Sequence, residues 1–242
     1  MTPMQHRLRF TSLTALGVAT LILAGVVPAN ASTSSTPSFF GASAASADAV
    51  TLTDEQRIAV QATMSEGGID AATQDTLLAK LASGGTLDAS SGASPVSEER
   101  EDTGGSERTT KIYADGSRQW IDLQKPTEAT AAGAERSGLS GCSASAGWNV
   151  NCKLEIRDIV SFASFVIDYQ TSSAGAAKVR DMREKRCGNT VGSCTVTGEI
   201  KRATQSGSAP AWAELAYSAN GGPVVANGSI GIRVTGTTVD AY

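Results

Sequence analysis

Hydrophobic and polar positions along the 242-residue chain change period more than once. Residues 13–27 are mostly apolar, residues 32–50 carry no period, residues 52–81 carry a helical one, and from residue 108 onward the pattern alternates. In "LTDEQRIAVQATMSEGG", Thr53 with Gln56 three positions on makes a capping box. Ile58, Ala59, Ala62 and Met64 then recur near helical spacing until Gly67-Gly68 ends the helix. Asp70 or Thr73 starts a second helix, whose Leu77, Leu78 and Leu81 form an apolar stripe that stops at Gly84-Gly85. The spacing predicts a helical hairpin over residues 51–85. So small a unit cannot bury a core alone and must dock elsewhere or stay marginal.

Residues 86–107 are acidic and rich in Ser and Gly, without a period, and read as a linker. Beyond them, "TTKIYADGSRQWIDL" reads as a β-hairpin turning at Asp115-Gly116. "VNCKLEIRDI" puts Val150, Cys152, Leu154 and Ile156 on one face and Asn151, Lys153, Glu155 and Arg157 on the other. "FASFVIDYQ" is apolar on both faces, as a central strand would be, and "CTVTGEIKR", "AWAELAYS" and "SIGIRVTG" complete about seven strands. Between them, "SSAGAAKVRDMREKRC" offers Arg180 with Glu184 and Asp181 with Lys185 at i,i+4, which predicts a short surface helix from about residue 174 to 186. The expected fold is mainly β: a small antiparallel sandwich or barrel-like domain over residues 108–242 with one short helix, preceded by the helical hairpin and flexible linkers.

The amino-terminal apolar run follows a basic segment with His6, Arg7 and Arg9 and precedes "PANAS", the layout of an export signal cleaved after Ala31. Fifteen residues interrupted by Thr14 and Thr20 fall short of the ~20 needed to span a bilayer. Residues 1–31 are thus read as a signal peptide and residues 32–50 as a Ser/Ala-rich disordered tether, leaving no stable membrane anchor. Cleavage also removes the only histidine, His6. A Ser-His-Asp triad, a Cys-His dyad and a His-ligated zinc are excluded for the mature chain.

Four cysteines remain, Cys142, Cys152, Cys187 and Cys194, an even number suited to an oxidising compartment. Of the three possible pairings, the two local bridges are preferred, because "CSASAGWNVNC" and "CGNTVGSC" have the composition of turns between strands. Neither spacing is a zinc knuckle and no CxxC is present.

Charge divides unevenly: residues 32–106 hold three basic against eleven acidic side chains, and residues 107–242 hold fifteen against thirteen. The basic cluster Lys178, Arg180, Arg183, Lys185 and Arg186 is the candidate contact surface for an anionic partner, with Trp148 a candidate platform for a sugar ring. The competing readings are a solvated surface helix and a Trp packed across its own disulfide. Trp120 and Trp212 sit in strands and read as core. No lysine has Ser three positions before it, and phosphate-loop, dinucleotide and GxSxG patterns are absent. Paired carboxylates among Asp158, Asp168, Glu199 and Glu214 are the one catalytic device left open.

The succession "GIDAATQDTLLAKLASGGTLDASSGASPVS", "KIYADGSRQW" and a Cys-flanked strand leading into "SFASFVIDYQ" resembles a family of small, functionally uncharacterised exported proteins of high-GC Gram-positive bacteria. That resemblance implies a helical hairpin followed by a disulfide-bonded β domain and transfers no catalytic residue. The expectation is a secreted, non-enzymatic binding module at or near the cell envelope, extracellular or wall-associated. Its partner would be a cell-wall polymer or another extracellular protein, with no cofactor, metal or nucleic acid. The alternatives are a glycan hydrolase using paired carboxylates and a secreted effector or inhibitor of another protein.

Overall fold

The computed structural model describes residues 51–128, 141–221 and 224–242, so the expected signal peptide and tether lie outside the described residues. Among the described residues three helices come first: α1 (Asp54–Glu66), α2 (Ala71–Ala82) and the single turn α3 (Asp88–Ser91). Thr53 caps α1 with both halves of the capping box in place, and Asp70 caps α2.

Twelve strands follow among the described residues, more than the seven or so expected. β1 (Ser97–Asp102), β2 (Ser106–Ile112), β3 (Arg118–Gln124), β6 (Trp148–Arg157), β7 (Ser161–Gln170) and β8 (Lys178–Asn189) lie side by side and antiparallel. The short β4 (Thr127–Glu128) and β5 (Ser143–Ser145) extend this sheet beside the first half of β6. The second sheet has the order β12-β11-β10-β9, built from β9 (Ser193–Arg202), β10 (Ala211–Gly221), β11 (Val224–Thr235) and β12 (Thr238–Ala241).

The two sheets face each other through one core. Leu154, Ile156, Phe165 and Ile167 from the first meet Ala213, Leu215, Ile230 and Ile232 from the second. Each large side chain so buried contributes about 1.5–3 kcal/mol. From Cys152 onward the alternation read in "VNCKLEIRDI" is the one observed, with Cys152, Leu154 and Ile156 buried, but Val150, placed on the same face by the pattern, is only half-buried, beyond a shift in register. Both local disulfides are present: Cys142–Cys152 lies in the core, and Cys187–Cys194 ties β8 to β9 and so joins the sheets. Among the described residues no helix is long and apolar enough to cross a membrane.

The helical hairpin caps one end of the sandwich. Val60, Met64, Leu77 and Leu81 pack with Leu87 and with Ile159 and Val160 of the β6–β7 turn. Polar ties fix the same end: Gln56 donates to the Thr190 carbonyl at 3.2 Å, Arg118 to the Gly67 carbonyl at 3.0 Å, and Lys80 to Asp115 at 2.8 Å.

Two expectations are corrected. The acidic stretch 86–107 is not an unstructured linker: Leu87 is buried, α3 follows, and residues 97–102 form the edge strand β1 paired along its length with β2. Because every residue of β1 is exposed, it carries no hydropathy signal. Its charged side chains also blunt an otherwise open sheet edge. The second correction is that residues 178–189 are strand β8 and not a surface helix.

Candidate functional site

The strand that replaces the expected helix carries the candidate surface. On a regular strand, residues three apart point to opposite faces. The pairing of β8 with β7 slips on both sides of Val166, and Asp181 (φ 55°) and Glu184 (φ 48°) occupy left-handed backbone positions. Each slip is a bulge that inserts one extra residue and restores the phase. Lys178, Arg180, Arg183 and Arg186 thereby stand opposite Gln170, Asp168, Val166 and Ser164, the successive outward residues of β7. Met182, turned the other way, packs against the core.

A third bulge meets them from the opposite side. The β6–β7 register shifts between Asn149 and Cys152, and Asn151 (φ 61°) takes a left-handed conformation. Its backbone N–H donates to Asp168 Oδ1 at 2.9 Å. Asp168 is thus the junction of the bulges, with its side chain only 8 % exposed. Arg183 Nη2 donates to Asp168 Oδ1 at 3.0 Å and also to the Asn151 side-chain oxygen, while its Nη1 donates to the Asp181 carbonyl at 2.6 Å. Arg180 Nε lies 3.5 Å from Asp168 Oδ2, and its guanidinium sits 3.9 Å from the centre of the Trp148 ring. One buried carboxylate therefore serves two guanidinium groups, and the more exposed Asp181 carboxylate also reaches Arg180 Nε, at 3.4 Å. Beside them is a shallow depression of about 470 Å³ lined by Asp168, Asp181, Met182 and Arg183.

The rest of the face continues the pattern. Glu155 bridges Lys153 at 2.5 Å and Arg157 at 3.0 Å. Burial alone would raise the Glu155 carboxyl, but these two cations outweigh it and hold the group below its usual range. Arg157 in turn lies 5.3 Å over the Phe162 ring, which occupies the space above Gly188. Four non-glycine residues with positive φ occur among the described residues: Ala146, Asn151, Asp181 and Glu184. All four border this face, Ala146 in the turn that presents Trp148.

Of the basic cluster read from sequence, the structure brings Lys178, Arg180, Arg183 and Arg186 together and joins Trp148 to Arg180. Lys185 is sent elsewhere, donating to the Gly198 carbonyl of β9 at 2.8 Å. Trp148 is half-buried beneath Arg180 and offers no open platform on that side for a sugar. Trp120 is core, as its strand position implied, but Trp212 is not: it alternates with the buried Ala211 and Ala213, half-buried on the outer face of β10 with Arg233 over its ring. Sequence reasoning missed Asp168 as organiser and Asn151, Lys153 and Arg157 as members; Asn and Asp at 151 and 181, residues tolerant of left-handed backbone, were the available signal.

The carboxylates divide as follows. Asp158 is enclosed in the β6–β7 turn, accepting from the N–H groups of Val160 (2.8 Å) and Ser161 (2.6 Å) and from the hydroxyls of Ser161 (2.9 Å) and Ser90 (3.1 Å). Burial pushes its carboxyl above the usual range against these donors. Glu199 and Glu214 stand directly opposite each other on the outer face of the second sheet, around a depression of about 290 Å³. Lys201, 2.5 Å from Glu199, holds that carboxyl below its usual range, the reverse of what a general acid needs. Glu214 accepts from Tyr242 Oη at 3.1 Å, and the Tyr242 ring lies against Gly231 under Arg233, 4.0 Å away. That arrangement fastens the end of β12. Among the described residues no three His, Cys, Asp or Glu side chains gather as a metal site.

Comparison with known protein families, with characterised proteins and with solved structures finds no match to the chain.

Proposed function

We propose that the protein is a secreted, non-enzymatic binding module acting at or near the cell envelope, and that the outer face of β6, β7 and β8 is its contact surface. One observation carries the reading: three bulges, holding the left-handed Asn151, Asp181 and Glu184, converge on a buried aspartate to bring four cations onto one face. Strained backbone of this kind persists where the geometry is used. The two disulfides suit an oxidising extracellular site, and the leader-like amino terminus and the resemblance to exported proteins of high-GC Gram-positive bacteria point the same way.

The test is sedimentation of the oxidised protein with purified cell walls across a salt series. Wild type pellets at low salt and is released as salt rises, and a K178Q/R186Q variant pellets several-fold less. Absence of pelleting at any ionic strength overturns the proposal.

A further inference from the structure

The cations on β8 form a ladder of fixed pitch. Lys178, Arg180, Arg183 and Arg186 face every second residue of β7, from Gln170 to Ser164. Two extended residues span about 7 Å, so the four rungs cover roughly 20 Å in a straight line. A surface evolved only for solubility needs no such regularity, and here the regularity is obtained through two left-handed residues, Asp181 and Glu184.

The middle rungs are held in place. Arg183 is fixed by Asp168, Asn151 and the Asp181 carbonyl, yet these three bonds use only part of its five N–H donors. Arg180 is held between the carboxylates of Asp168 and Asp181 and stacks on Trp148. The outer rungs are looser: Arg186 is 70 % exposed and pairs with Glu184 at 3.5 Å. Preorganised guanidinium groups suit phosphate, whose oxygens they meet in a planar fork.

The aromatic groups on the face narrow the ligand further. Nucleic-acid surfaces of this type stack bases on open aromatic rings. Here Arg180 covers Trp148 and Arg157 covers Phe162. What remains is a row of cations without a base platform.

We infer that this face binds an extended, linear phosphodiester polymer without aromatic bases, one phosphate to each of the four rungs at a repeat of about 7 Å. The inference rests on the proposed binding role of the face and names its ligand class. Poly(glycerol phosphate) has this chemistry; inorganic polyphosphate carries its charges far more closely spaced and serves as the mismatched control.

The experiment is titration of the oxidised full-length protein with glycerol-phosphate oligomers of one to eight units, at 50 and 200 mM salt. Affinity rises with each unit up to four and then levels off. With four phosphates neutralised, affinity at the longer lengths falls roughly fifty-fold between the two salts, and K178Q/R186Q reduces that fall to about seven-fold. A single unit binding as well as four, equal affinity for polyphosphate, or tighter binding of single-stranded DNA each overturns the inference. Pelleting with walls stripped of phosphate polymer, without affinity for the oligomers, overturns it too while leaving envelope binding intact; failure to pellet with any wall preparation overturns the underlying role itself.

Discussion

Replacing Asp115 with asparagine removes one charge from the junction that holds the helical hairpin to the sandwich. Asp115 sits in the β2–β3 turn, where Oδ2 accepts from Lys80 Nζ at 2.8 Å and from the Asp88 N–H at 3.0 Å. Oδ1 accepts from the Ser117 N–H at 2.9 Å and its hydroxyl at 2.5 Å. Burial alone would raise this carboxyl, but Lys80, Ser117 and the backbone donors outweigh it and bring it from 3.8 down to about 2. A carboxylate depressed that far contributes roughly 2 kcal/mol at neutral pH. Because the folded value lies below the unfolded one, that contribution is complete above about pH 4 and is lost as pH falls toward 2. Lys80 keeps Asp88 at 2.9 Å, so D115N strands no cation. Urea unfolding at a series of pH values is the assay. D115N is less stable than wild type by about 2 kcal/mol at pH 7, and the gap closes at low pH. Amide exchange quickens in α1 and α2 while β6 and β7 keep their protection. A gap that stays constant from neutral to acid pH, or a hairpin whose exchange is unchanged, refutes the reasoning.

Gly67 abuts the Trp120 ring, and a Cβ there would stand 2.8 Å from Cζ3, so Gly67→Ala costs about 1–3 kcal/mol, read as a lowered melting temperature. An unchanged melting temperature would show that the hairpin shifts freely over the sheet. Asp158→Ala strands four donors in a buried turn and lowers stability by about 3 kcal/mol or more in chemical unfolding; Asp158→Asn recovers part of this because its carbonyl still accepts. A non-reducing peptide digest yields Cys142 linked to Cys152 and Cys187 linked to Cys194, and the C187S/C194S pair loses about 2–3 kcal/mol. A crossed linkage in the digest contradicts the sheet pairing around both bridges.

What the chain reveals on reading and what it hides follow from how local each cause is. The capping box at Thr53 and Gln56, the turn at Asp115-Gly116 and the alternation of β6 from Cys152 onward are each written within a dozen residues, and each appears where the pattern placed it. The docking of the hairpin depends on Ile159 and Val160, about a hundred residues from α1, and nothing local announces that contact. β1 escaped because a wholly exposed edge strand has no buried face to set a period. β8 misled because Arg180 with Glu184 and Asp181 with Lys185 stand at the i,i+4 spacing of helical charge pairs, and its backbone adds a second likeness. Bulges at Asp181 and Glu184 stretch a two-residue repeat into a three-residue one, so the spacing of its cations imitates the i,i+3 pattern of a helix.

The same mimicry bears on the candidate site. Had residues 178–186 been helical, Arg180, Arg183 and Arg186 would drift around the axis by some 60° at each step and present no straight row. Had they formed a regular strand, Arg183 would point into the core where Met182 now packs. Only the bulged strand sets all three outward in line, and it does so against two penalties. Left-handed backbone is unfavourable by about 1–2 kcal/mol per non-glycine residue, and a carboxylate as enclosed as Asp168 loses hydration. The aspartate offsets the second by taking the N–H that the β6 bulge releases together with two guanidinium groups. Bulge, carboxylate and cations therefore form one unit. Asp168→Asn should relax Arg180 and Arg183 together and lower polymer affinity more than K178Q does, although Asp168 itself carries the charge that repels a phosphate. A simple electrostatic surface would respond with the opposite sign, gaining affinity when that negative charge is removed, and the direction of the change decides between the two.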